Sequence, residues 1–107
     1  MTGKMDLEKL REEIAAVTLE ILDLCRKRFE LARKVAAIKA EKGFPIENSE
    51  IERRLKRRIL DFCRTNNLDD KFCIRLFELL ISESKRVQEE IMRSRSHEET
   101  SAGRAEL

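Results

Sequence analysis

Tryptophan and tyrosine are absent from this chain of 107 residues, and three glycines and one proline are its only strong helix breakers. So few breaks suit long helices with solvated charged faces. Histidine occurs once, as His97 in a polar stretch near the C-terminus. That leaves no histidine cluster for zinc and no core imidazole for moving protons. The three cysteines, Cys25, Cys63 and Cys73, form no CxxC pair. Reduced thiols serving as small core hydrophobes in a cytoplasmic protein are the expectation from that count. No apolar run approaches the ~20 residues of a membrane span. The opening MTGKMDLEKL has no signal-peptide apolar region. A net charge of +2 is too near balance to argue for nucleic acid. The composition therefore predicts one cytoplasmic domain with no metal, no cofactor and no membrane partner.

What the chain has in abundance is charge, at 41% of residues. Between those charges runs a regular apolar seam: Leu7, Leu10, Ile14, Val17, Ile21, Leu24, then Leu31, Val35 and Ile38. The steps alternate three and four, which predicts one long amphipathic helix. One seam position breaks the rule. The register calls for an apolar side chain at position 28 and finds Arg28. A cation inside a buried stripe is costly unless something negative meets it, and a substrate is one candidate. Asp6 is the expected N-cap; Gly43 and Pro45 end the helix after Lys42. About 37 residues give roughly 55 Å of helix. Two shorter helices cannot cover a seam of that length, so part of it is expected to pack on a second copy of the chain.

A loop at 44–48 precedes a second helix that begins at Ser49, with Glu52 at capping-box spacing. Ile51, Leu55, Ile59 and Phe62 mark its expected buried side, while Arg53, Arg54, Lys56, Arg57 and Arg58 make a basic, solvated face. It should end near Asn66 and Asn67. Asp69 caps a third helix whose stripe is Leu76, Phe77, Leu80, Ile81, Val87 and Ile91. The predicted fold is all-α: three helices, one long and two shorter, with part of the long helix packed on a second copy of the chain. Residues 1–92 form the domain, and the polar, aperiodic 93–107 form a disordered tail.

Several polar side chains lie where apolar ones belong. Arg28 and Lys39 are within about 20° of each other around the first helix. Ser84 and Gln88 share a face of the third. With Glu52 these could line a pocket for a small polar anion. Arg11 lies roughly 25 Å from Arg28 along the helix, so it could reach such a site only from a second, antiparallel copy. Each has an ordinary reading as well. Arg28 could be salt-bridged or snorkelling, Lys39 a surface lysine, and Glu52 a capping-box glutamate. Ser84 could bond back to its own backbone, Gln88 could be solvated, and Arg11 could pair with nearby glutamates.

Taken in order, LEKLREEI, RKRFELARKVAAIKAEKGFPI, Glu52 and RLFELLISESKRVQEE resemble the all-helical class of chorismate mutases, from about Leu7 to Ile91. The resemblance implies an intertwined dimer with two sites and no cofactor. In it, Arg28 and a partner copy's Arg11 would bind the carboxylates of chorismate. Lys39 and Gln88 would meet the ether oxygen, Glu52 would accept from the ring hydroxyl, and Ser84 would support a carboxylate. The implied activity is the rearrangement of chorismate to prephenate on the route to Phe and Tyr. Two positions depart from the family pattern. Ile51 stands where many members carry Arg, with Arg54 a candidate substitute one turn on. Asn48 stands where many carry Asp, and can still hydrogen-bond the hydroxyl. A rival on the same fold is an isochorismate–pyruvate lyase, against which Glu52 argues because it is placed for chorismate's hydroxyl. A non-enzymatic helical dimerisation or RNA-binding module, using the basic second helix, is the reading from another class.

Overall fold

A computed structural model describes the backbone of residues 3–106 and the side chains of residues 6–95. Three helices account for nearly all of it: α1 (Gly3–Lys42), α2 (Ser49–Thr65) and α3 (Asp70–Glu106). The backbone of α3 continues through the stretch expected to be a tail. Most of that expectation, 96–107, falls outside the described side chains.

Asp6, expected to cap α1, lies within its first turn instead, because the helix already begins at Gly3. The C-terminal end of α1 forms where the turn chemistry places it. Gly43 adopts φ 69°, and Phe44 N–H donates to the Lys39 carbonyl at 2.9 Å. This left-handed closure, which favours glycine, satisfies a carbonyl that the helix end would otherwise leave open. At the end of α2 the left-handed residue is Asn67, with φ 56°. Leu68 N–H reaches back to the Cys63 carbonyl at 2.8 Å. Asp69 caps α3 as expected, its Oδ2 accepting from Phe72 N–H at 3.0 Å. At the start of α2 the expectation is corrected. The N-cap is Asn48, whose Oδ1 accepts from Ile51 N–H at 3.2 Å, and Ser49 is already helical. The capping-box position therefore falls on Ile51, so Glu52 has no capping role.

The cysteine expectation is also corrected. Cys63 and Cys73 are joined by a disulfide across the turn between α2 and α3, and both are buried. Cys25 is the free thiol among the described residues.

The chain divides into two compact units, residues 1–31 and 32–107. In the first, the whole seam from Leu7 to Leu24 is exposed, with Ile14 at 65% and Leu24 at 62%. In the second, α2 packs on α3, and the core is Ala32, Ala36, Cys63, Cys73, Phe77 and Val87. The inward face of this part of α1 is thus a small-residue face, Ala32 and Ala36, one turn apart. Val35 and Ile38, the seam residues, stay exposed, as do Ile51 and Phe62 of α2 and Leu76 of α3. Alanines lack bulk, so neighbouring elements can approach closely; the larger side chains are left on another face of the same helix.

Candidate functional site

Lys39 lies on the last turn of α1, at the i+3 position from the buried Ala36, so its stem starts inside the second unit. Its ammonium donates two hydrogen bonds, to the Ile46 carbonyl at 2.6 Å and to Gln88 Oε1 at 3.1 Å. Both acceptors are neutral. Burial pushes the Lys39 pKa down, and attraction to Glu52 opposes that only in part. Lys39 is therefore a partly desolvated cation, the state in which a charge acts most strongly on a bound anion.

Gln88 and Ser84 lie one turn apart on α3, and both are buried. The Lys39 bond engages the oxygen of the Gln88 amide, which directs the amide's NH2 to the other side. The pair thus offers two donor types, one charged and one neutral. Glu52 lies in the first turn of α2, freed from the cap by Asn48. Its Oε1 accepts from Lys85 Nζ at 2.9 Å. Lys85 also meets Glu47 Oε1 at 3.1 Å. These two carboxylates raise the Lys85 pKa, chiefly through the hydrogen bond to Glu52. Two lysines thus secure the loop before α2: Lys39 through the Ile46 carbonyl, Lys85 through the Glu47 side chain.

Of the site residues expected from sequence, the second unit gathers Lys39, Gln88, Ser84 and Glu52, with Asn48 engaged at the helix cap. Arg28 and Arg11 belong to the first unit. Arg28 is half-buried, and burial lowers its pKa, the Cys25 side chain partly offsetting this. Arg11 is exposed. Arg54, the candidate substitute for the residue missing at position 51, is exposed and pairs with Glu50 at 3.2 Å. Lys85 is the site residue that the sequence reading did not find. Among 23 lysines and arginines nothing singles it out, although its place between Ser84 and Gln88 was a usable signal. No group of described residues forms a metal-binding cluster of His, Cys, Asp or Glu. No helix among them is long and apolar enough to cross a membrane.

Comparison with known proteins gives a consistent match. The model of the family described as chorismate mutase type II matches residues 10–89. A chorismate mutase from Methanocaldococcus jannaschii is 34% identical over 86 residues, 80% of this chain and 87% of the relative. A 4-amino-4-deoxychorismate mutase from Streptomyces venezuelae is 29% identical over 92 residues, 86% of this chain and 89% of the relative. The bifunctional chorismate mutase/prephenate dehydratase of Escherichia coli strain K12 is 33% identical over 92 residues, which span 24% of that longer protein.

Proposed function

We propose, from the premise that this chain belongs to the type II chorismate mutase family, that its Lys39–Gln88 pair carries out the conversion of chorismate to prephenate. The observation that carries the reading is the partly buried ammonium of Lys39, held 3.1 Å from Gln88 Oε1. The reaction is intramolecular: the ether C–O bond breaks as a C–C bond forms, and no proton moves. A site with no histidine among the described side chains is suited to it. The protein has two tasks. It holds the enolpyruvyl group over the ring, which is a positioning task, and it stabilises the negative charge growing on the ether oxygen. Lys39 supplies a charged donor and the Gln88 amide a neutral one.

The remaining roles belong to the same reading. Arg28 pairs with one substrate carboxylate, and Arg11 from a second copy of the chain reaches the other. Ser84 supports a carboxylate. Glu52 accepts from the ring hydroxyl, and Asn48, its oxygen used in the cap, keeps an NH2 to donate. The exposed seam supports the homodimer, since each large apolar side chain covered is worth roughly 1.5–3 kcal/mol. The product would feed the route to phenylalanine and tyrosine. A cytoplasmic location is part of the reading, and the buried disulfide weighs against it, because such bonds persist mainly in oxidising compartments. Acid-quenched thiol counting on protein taken directly from its native cell decides that point.

The test of function is to supply purified protein with chorismate and, separately, with isochorismate. Prephenate from the first and no pyruvate from the second is the expected result. Pyruvate release from isochorismate would make the chain a lyase. Salt-sensitive RNA binding without turnover would make it a binding module.

A further inference from the structure

Lys85 is used by none of the steps described above, yet it is paired with Glu52, which is. Lys85 follows Ser84 and precedes Gln88 by three residues, so one helical segment presents all three. Its ammonium touches Glu52 at 2.9 Å and Glu47 at 3.1 Å. Lys85 and Glu52 are each about two-thirds covered, with side-chain exposures of 31% and 28%, while Glu47 is open at 67%. The contact between Lys85 and Glu52 is thus the sheltered one.

We propose that Lys85 sets the substrate's ring substituent, balancing the Glu52 carboxylate so that the site takes a neutral hydroxyl in preference to a charged amine. This rests on the reading that Glu52 meets that substituent. The charges are simple to follow. Glu52 and Glu47 contribute two negative charges, Lys85 and Lys39 two positive ones. A hydroxyl donates a hydrogen bond to the carboxylate and is indifferent to the balance. An aliphatic amine, protonated near neutral pH, brings a third positive charge beside two lysines. Partial burial strengthens that repulsion. Without Lys85, Glu52 would be a carboxylate lacking its contact partner, and an ammonium would be the better match for it. Such rejection by like charge is a common source of specificity.

The experiment compares kcat/KM for chorismate and for 4-amino-4-deoxychorismate, which differ at that substituent. It uses full-length wild type, Lys85→Met, Lys85→Arg and Glu52→Gln. The readout is the ratio of the two values, since any general loss of attraction for a dicarboxylate cancels in it. Wild type should favour chorismate at least tenfold. Lys85→Met should shift the ratio toward the amine by at least fivefold, and Lys85→Arg should keep the wild-type ratio. Lys85→Gln repeats the neutral substitution should the Met variant fold poorly. A ratio unchanged in the neutral variants, with Glu52→Gln still impaired on chorismate, overturns the proposal and leaves the role of Glu52 standing. Wild-type values for both substrates in Glu52→Gln would remove Glu52 from the substituent, and the proposal would fall with it.

Discussion

Lys39 Nζ lies 3.1 Å from Gln88 Oε1 and 2.6 Å from the Ile46 carbonyl. These bonds hold the ammonium at the junction of α1, the loop and α3. Lys39→Ala should reduce kcat about 10²–10³-fold, the usual effect of removing one preorganised donor. Thermal unfolding should move by only a few degrees, because the bonds lost were partly offset by the cost of burying the charge. Turnover within threefold of wild type would remove Lys39 from the chemistry.

The alkaline limb of the rate profile should report the same residue. Burial holds the Lys39 pKa below the ordinary lysine value of 10.5, and the donor must be charged, so kcat/KM should fall as pH rises toward, but before, that value. Stability should not follow the same curve. Deprotonating a group whose folded pKa is lowered removes a penalty. The Lys85 pairs, with a folded pKa raised above 10.5, contribute fully below that value and are lost only above it. Rate profiles and melting curves measured between pH 7 and pH 10.5 test the separation. A sharp activity change near pH 6.5 would instead indicate an imidazole.

Arg11 acting in trans makes a prediction about mixtures. Arg11→Ala and Lys39→Ala proteins should each be nearly inactive. Refolded together at equal amounts, they should regain about a quarter of wild-type activity, since half the dimers are mixed and one site in each is intact. No recovery, or a monomeric mass in sedimentation, would refute the shared site.

Reduction should separate stability from activity. The Cys63–Cys73 bond closes a short loop, a sequence separation of 10, and opening it should cost about 2–3 kcal/mol. It lies some 16 Å along α2 from Glu52 by helical rise. The melting temperature should therefore drop with reductant while turnover below the transition is kept. Equal melting temperatures in both states would contradict this.

Asn48 offers a simpler check. Asn48→Ala removes the cap that accepts from Ile51 N–H and should destabilise by ~1 kcal/mol. Asn48→Asp keeps that oxygen and complements the helix dipole, so its stability should match or exceed wild type in denaturant titration.

By itself the sequence determined the three helices and the end of α1, the end of α2 and the start of α3. Apolar period, Gly43, Asn67 and Asp69 act locally, within a turn or two, and local rules suffice to read them. It also marked Arg28, Lys39, Ser84 and Gln88 as polar groups out of place, and set Glu52 beside them. The tertiary structure decided what crosses between elements. It placed Ala32 and Ala36 inward where the seam suggested Val35 and Ile38, joined Cys63 to Cys73, and gave the cap to Asn48 so that Glu52 could turn to Lys85. Those outcomes depend on distances between residues far apart in the chain. Helical period tells which face a side chain shares, and carries no information about what that face will meet.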